Sequence, residues 1–519
     1  MQIGCRENEM KELLLGIDIG TSACKAAIFR RDGEVVAAAS EEYKVYYPQP
    51  GYAEQDPDEW WRAVCKAVKK CIGNGAVNPS DIAGIGVDGQ SWSAVAIDKQ
   101  GNVLARTPIW MDNRSDSVCE RLNCKIGKDA IFKVSGNPLT AQYTTGKVLW
   151  YRENRPEVYR ETDKILQSNA FIVYRLTGKV SLDICQSYGW HCFDMKRGVW
   201  DDDMRKELGI PEGFLPKISP CHEVIGTVTR KAAEESGLTE GIPVVAGALD
   251  AACGTLGAGV IRNGETQEQG GQAGGVSICT DTYKADPRLI LSRYVIPGYW
   301  ILQGGTTGGG GVMRWLEREL GDYERMRAGE LGRSSLMQFN EIAAEVAPGS
   351  EGLVFLPYMS GERTPIWDPD AKGVFYGLDF SKTKGHMIRA AMEGVAYSVR
   401  HNLEAAEEAG ASAKVLRAMG GSANSLLWTQ IKADITGKLI EVPDSDTATT
   451  LGAVMLAGVG VGLYKDFKEA AELTVTVRRV HKPNPEVKEV YDKNYRIYLE
   501  LYQNLKETMK KQKAMNIGS

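Results

Sequence analysis

The chain has 519 residues, 43% hydrophobic and 25% charged, with a formal net charge of −5. That length provides for two or three domains and an ample core, and the acidic balance argues against nucleic acid or an anionic membrane as the main partner. No apolar run approaches the ~20 residues that span a bilayer, and the first ten residues carry Arg6, Glu7 and Glu9 without an apolar core, so no signal peptide is read and a cytoplasmic location is the default expectation.

The 11 cysteines are scattered without a CxxC pair and are accompanied by 5 histidines. Reduced, mostly buried thiols are therefore expected rather than structural zinc.

Leu13 to Asp18 reads as a buried strand, Ile19-Gly20-Thr21-Ser22 as a turn, and Lys25 to Phe29 as the returning strand. An Asp32-Gly33 hairpin signal then leads to a third strand from Val35. Asp56 and Pro57 open a helix in which Trp60, Trp61, Val64, Ala67, Val68 and Cys71 form an apolar face. Ile82 to Val87 is the next strand; Asp88 to Trp92 form its end and a turn, and Ala94 to Ile97 are expected to return. Alternating helices and strands continue from there, giving an α/β first half.

Pro243 to Ala246 reads as a buried strand, and Ala251-Ala252-Cys253-Gly254 as the start of a tightly packed helix. Asp250 lies between them. A carboxylate at such a junction, bracketed by small residues, can accept a proton from a bound hydroxyl; the alternative is a helix cap.

The second half repeats the opening layout. Glu265 to Gln269 reads as a strand, Gly270 to Gly275 as a glycine turn, and Val276 to Cys279 as the return. Two glycine-turn hairpins roughly 250 residues apart point to a duplicated domain. Met419 to Asn424 is a turn rich in small residues after a strand. Thr447 to Gly458 is a helix with a nearly all-alanine face, suited either to a close helix crossing at a domain hinge or to ordinary burial. Glu486 to Lys513 is helical, with a Tyr491, Tyr495, Tyr498 and Tyr502 stripe expected to be a packing face.

Gly84-Ile85-Gly86-Val87-Asp88-Gly89 fits GxGxxG, but a strand rather than a helix is expected after it, so it is not a dinucleotide fingerprint. There is no GxxxxGK[ST] segment. The turns at Gly20 and at Gly270 to Gly275 can still offer backbone N–H groups to phosphate oxygens. Asp18, at the mouth of the first turn, can hold Mg²⁺ through water. Lys25 either approaches the phosphates or points to solvent.

These segments together resemble the FGGY carbohydrate kinases, and most of all the xylulokinase branch. The C-terminal signature of that family is present as Gly373, Phe375, Gly377-Leu378, His386-Met387 and Ala390-Ala391-Met392-Glu393. The N-terminal signature is present as Thr144, Lys147-Val148, Trp150 and Glu153-Asn154, with departures at Gln142 and Tyr151. Asp18 to Ser22, Glu54 to Pro57 with Trp60-Trp61, and Met419 to Ser422 also resemble family segments.

The resemblance implies two ribonuclease-H-like domains of the actin and hexokinase superfamily with a cleft between them. Residues 11–257 would form the sugar-side domain with the first phosphate turn, and residues 258–519 the nucleotide-side domain with its C-terminal helix. ATP and Mg²⁺ are the implied cosubstrate and metal, a small sugar the partner, and a homodimer a possible assembly. Carried over by position, Asp250 is the general base and Asp18 the residue beside Mg²⁺. Gly20, Thr21, Ser22, Lys25, Gly271 and Gln272 fall on the phosphate side, and Gly420, Gly421 and Asn424 beside adenosine. Gln90, Ser91, Trp92, Trp110, Asp112 and Arg114 form the sugar-side wall.

Two positions depart from the xylulokinase pattern. Ser91-Trp92 stand where a small residue or Met and then His are usual, and Gly271-Gln272-Ala273-Gly274 stands where Gly-Thr-Ser-Gly is common. The expected activity is ATP-dependent phosphorylation of a terminal hydroxyl of a xylulose-like ketose or related polyol. Kinases for ribulose, a deoxyketose or a sugar acid are alternatives, as are a non-catalytic sugar or nucleotide sensor and a sugar-independent ATPase on the same fold.

Overall fold

The computed structural model describes residues 12–73, 77–444 and 447–516; the segment read for a signal peptide lies outside them. Two seven-stranded sheets organise the chain. In the first, Leu13–Ile19 pairs antiparallel with Ala23–Phe29, which pairs antiparallel with Val35–Glu42. On its other edge Leu13–Ile19 runs parallel to Ile82–Gly89, which in turn runs parallel to Pro243–Val245 and Ala248–Leu249. Val224–Thr227 closes that side antiparallel.

The second sheet repeats this wiring. Glu265–Gly270 pairs antiparallel with Gly274–Thr280, which pairs antiparallel with Trp300–Thr306. On its other edge lie Val415–Met419 and Leu439–Pro443, both parallel, and then Val477–His481, antiparallel. Ile290–Arg293 is an extra edge strand. The duplication expected from the glycine-turn hairpins thus extends through five strands of each sheet; the antiparallel strand beyond them precedes its neighbour in the first sheet and follows it in the second.

One expected pairing differs. Val95–Ile97 does not return against Ile82–Gly89; it pairs antiparallel with Lys164–Leu166. Both edges of Ile82–Gly89 are already taken, by Leu13–Ile19 and by the strands that precede Asp250. The chain therefore has to leave the sheet, and it does so at Trp92, whose φ of +58° puts a non-glycine residue in the left-handed region.

Each sheet passes into a helix at its parallel edge, Asp250–Gly257 from the first and Ala448–Gly460 from the second. These two helices cross at backbone contact. A Cβ on Gly257 would collide with Ala448 O, one on Gly452 with Cys253 O, and one on Gly86 with Ala453 O. The small-residue run of Ala448–Gly460 therefore packs onto the first sheet as well as onto the Asp250 helix. The long helix Lys384–Glu408 lies against the second sheet, and the C-terminal helix Lys488–Asn516 buries Tyr491, Tyr495, Tyr498 and Tyr502 in that core. Among the described residues no helix is long and apolar enough to cross a membrane.

Candidate active site

The two glycine turns face each other across a cavity of about 440 Å³. Asp18, Gly20 and Thr21 line one wall, Gly274, Gly275 and Gly305 the opposite one, and Asp250 sits between them. The first turn is held from behind. Gln55 Nε2 donates to Thr21 O at 2.7 Å, Gln90 Nε2 donates to Gln55 Oε1 at 2.6 Å, and Trp110 Nε1 donates to Thr21 Oγ1 at 2.9 Å. Ser22 is exposed, and its carbonyl accepts from the Tyr43 amide at 3.2 Å. Lys25 is exposed too, with Nζ 3.9 Å from Asp18.

Asp250 opens its helix, and Oδ1 accepts the Ala251 amide at 2.6 Å. Its carboxylate opens toward the cleft yet is surrounded by protein. That burial, with the nearby Asp18 charge adding and the Ala251 amide opposing, pushes its pKa up to about 7. Asp18 is also raised by burial, with Lys25 opposing. Asp88 is the in-register parallel neighbour of Asp18. Burial first, then the charges of Asp18 and Asp250, push it well above the usual carboxylate range. It is fully buried; no backbone or amide donor among the described residues reaches its oxygens, and the side chain it meets is the Asp18 carboxyl, with which it can share a proton.

The sugar-side residues divide into two groups. Ser91, Trp92 and Trp110 reach the cavity, together with Tyr188. Trp92 packs against Tyr143 and Tyr188 with ring centroids 4.4 and 5.4 Å away. Its indole N–H has no partner, while its carbonyl accepts from buried Lys147 Nζ at 2.8 Å. Tyr188 donates to Ser91 Oγ at 3.0 Å. Gln90, Asp112 and Arg114 stand behind the wall. Gln90 braces the first turn, as above; Asp112 accepts from Ala53 N at 2.6 Å and from two Arg114 nitrogens at 2.8 Å each. Arg114 also pairs with Glu54 and lies over the Tyr52 and Trp150 rings.

Beside the second turn is a further cavity of about 370 Å³, lined by Gly271, Gln272, Gly421 and Asn424, with Met313 and Trp428 as apolar walls. Gly420 adjoins it; its φ of +82° turns the chain toward Gly270. Lys432 Nζ ties the two turns together, donating to Glu268 Oε1 at 2.6 Å and Ser422 Oγ at 2.8 Å. Asn424 Oδ1 accepts from Arg478 at 2.6 Å. An open apolar slot beside backbone-rich turns is suited to a planar base with its phosphates toward the main cleft.

Sequence reasoning did not single out Asp88, Tyr188, Lys147 or Arg363 as site residues. Asp88 had a signal, because its strand runs beside that of Asp18. Tyr188 and Arg363 come from segments far along the chain whose patterns point to no cleft. Elsewhere, Asp183, Cys185 and Cys221 bring ligand atoms within 4.8 Å of one another. Asp183 is already bonded there to Asn169 Nδ2 at 2.9 Å and the Gln186 amide at 2.8 Å, so the cluster is explained as buried packing.

Comparison with known proteins agrees with this arrangement. Residues 13–257 match the N-terminal domain, and residues 273–461 the C-terminal domain, of the FGGY family of carbohydrate kinases. A xylulose kinase of Staphylococcus epidermidis is 30% identical over 501 residues, spanning 96% of this chain and 98% of that protein. A gluconokinase of Bacillus subtilis is also 30% identical, over 506 residues and 97% of each chain. The crystal structure of xylulose kinase from Rhodospirillum rubrum superposes with a TM-score of 0.86 at 31% identity, covering 96% of this chain and 99% of that one. With both halves matched and a carboxylate poised between two glycine turns, the chain belongs to the FGGY family of carbohydrate kinases.

Proposed function

We propose that this chain transfers the terminal phosphoryl group of ATP to the terminal hydroxyl of an open-chain sugar, with a xylulose-like pentulose as acceptor. The observation that carries the reading is Asp250, a carboxylate pushed up to about pKa 7 in a cleft between two facing glycine turns, with aromatic side chains lining the same cavity. A general base works best with a pKa near the working pH. Asp250 accepts the proton of the attacking hydroxyl; the N–H groups of the two turns receive phosphoryl oxygens; Trp92, Tyr188 and Ser91 orient the acceptor. Positioning and electrostatics supply most of the rate in such transfers.

The Asp18–Asp88 pair fits a hard divalent cation. Two adjoining buried carboxylates, one of them without a backbone or amide donor, call for a proton or a metal, and all-oxygen ligands suit Mg²⁺. When bound there, Mg²⁺ neutralises charge on the nucleotide phosphates. A non-catalytic sensor would not require Asp18 and Asp250 to be placed facing the same cavity.

A sugar acid is the second reading, favoured by the gluconokinase likeness at the same identity as the xylulose kinase one. Trp92 bears on this choice. An indole offers one donor and a broad apolar face, whereas the imidazole usual in xylulokinases can donate or accept, and an apolar wall discriminates weakly. The test is kcat/KM for D-xylulose, its epimers, deoxy analogues and D-gluconate in the wild type and in Trp92→His. Several acceptors of comparable efficiency are expected in the wild type, with D-xylulose favoured more strongly in the variant. A sharp wild-type preference for gluconate would replace the pentulose reading, and no turnover of any acceptor would end the kinase reading.

A further inference from the structure

Arg363 is the only basic residue lining the main cavity among the described residues. Among the described residues its side chain makes no hydrogen bond or ion pair, and its buried Nε is without a partner. Its neighbours on both sides are tied down. Glu362 accepts from Thr306 Oγ1 at 2.8 Å and from the Thr307 amide at 2.7 Å. Thr364 Oγ1 accepts the Gly305 amide at 2.5 Å and lies 2.7 Å from Asn402 Oδ1. The Glu362 carboxylate, the adjacent counter-charge, is held on the strand end and acts on the guanidinium without a direct ion pair. The guanidinium lies over Gly305, where an added Cβ would come within 3.2 Å of its central carbon. Gly305 pairs with Gly275 at the end of the second glycine turn. The chain thus builds a rigid mount, leaves room with a glycine, and presents a guanidinium without a direct partner among the described residues to a cleft whose other charged lining residues are Asp18 and Asp250.

A half-buried cation without a direct partner gains when a ligand completes it, and a guanidinium matches the oxygens of phosphate or carboxylate. We propose that Arg363 is a catalytic residue that takes the oxygens of the phosphoryl group during its transfer. The acceptor oxygen forms its bond to the γ-phosphorus, the bond to the departing ADP oxygen breaks, the hydroxyl proton passes to Asp250, and Arg363 holds the charge on the equatorial oxygens. Asp18, which would hold Mg²⁺, and Asp250 stand on the first sheet's side and Arg363 on the second's, so the contact forms as the two walls approach. This inference rests on the phosphoryl-transfer reading above, but part of its test needs no turnover.

That part is calorimetric titration of wild type, Arg363→Ala and Arg363→Lys with Mg·ADP and with the Mg complex of the β,γ-imido analogue of ATP. Arg363→Ala is expected to weaken the analogue and leave ADP within about threefold, because ADP lacks the contacted group. In turnover, Arg363→Ala is expected to lower kcat by ~10²–10³-fold, the usual effect of removing a transition-state donor, with the KM of a neutral acceptor nearly unchanged and partial recovery in Arg363→Lys. Equal loss of ADP and analogue affinity would show a scaffold role and overturn the proposal. So would a rise in KM confined to an acidic acceptor such as gluconate, which would assign Arg363 to a substrate carboxylate, and so would unchanged kinetics. A wild type inactive on every acceptor ends the kinase reading, whereas the ADP–analogue difference still reports on Arg363.

Discussion

At Asp250 the burial that makes a good base also loads the folded state. Asn keeps the shape but cannot accept the proton, so Asp250→Asn is expected to lower kcat by ~10²–10⁴-fold with sugar binding little changed. More than roughly a third of wild-type turnover would remove Asp250 from the base role, since losses of the expected size leave far less. The wild-type rate should rise with pH through a limb near 7, where the carboxyl loses its proton. The stability consequence has the opposite direction. The folded pKa lies above the unfolded value of about 3.9, so the native state binds more protons between the two values. The contribution of this group is full below about pH 4 and is lost as the pH rises through about 7. Asp250→Asn removes that loss, so its melting temperature should exceed the wild type's by more at pH 8 than at pH 5. An equal difference at both pH values, by scanning fluorimetry, would contradict the burial argument.

The crossing of Asp250–Gly257 with Ala448–Gly460 connects the base to both sheets. Gly452 meets Cys253 O, three residues from Asp250, and leaves no room for a methyl group. Gly452→Ala is expected to cost about 1–3 kcal/mol of stability and, by displacing the base, to lower kcat by up to ~10²-fold. Gly329→Ala is the control, since nothing lies within 4 Å of a Cβ there and its helix is exposed; it should be neutral or slightly stabilising. Equal stability and kcat in the two variants would mean the crossing yields easily. This crossing was legible in sequence as a run of small residues, and both glycine-turn hairpins as strand–turn–strand patterns, because those signals are local. The destination of Val95–Ile97 was not, because it depends on which strand edges are already occupied. The sugar wall was legible in part. Trp92 and Trp110 reach the cavity, whereas Asp112 and Arg114 form an ion pair behind it, and periodicity does not distinguish facing a cavity from bracing its wall. Arg363 was illegible because its meaning lies in what surrounds it: both neighbours anchored, and no direct partner for its guanidinium among the described residues.

Over the whole molecule, a duplicated fold places the proposed catalytic groups on opposite walls: Asp18, Asp88 and Asp250 with the first sheet, the second glycine turn and Arg363 with the other. Neither wall alone surrounds a phosphoryl group, and an open cleft admits water as a competing acceptor. Closure of the walls completes the site and excludes that water. The crossing helices are the natural axis, since each follows a strand of one sheet and contacts the other: Thr255 Oγ1 lies 2.9 Å from Gln267 Oε1 of the second sheet, and Ala448–Gly460 packs on Gly86 of the first. Acceptor binding is therefore expected to reduce the radius of gyration in small-angle scattering, and Mg·ATP with acceptor to reduce it further. ATP hydrolysis without acceptor should be slow, well below the rate of sugar phosphorylation. Arg363→Ala should still compact with acceptor alone, because its partner arrives with the nucleotide, but should lose the additional compaction given by the β,γ-imido analogue. Rapid hydrolysis without acceptor, together with scattering that no ligand changes, would instead describe an ATPase with a preformed site, and the division of catalytic groups between two walls would then have no part in coupling the sugar to the nucleotide.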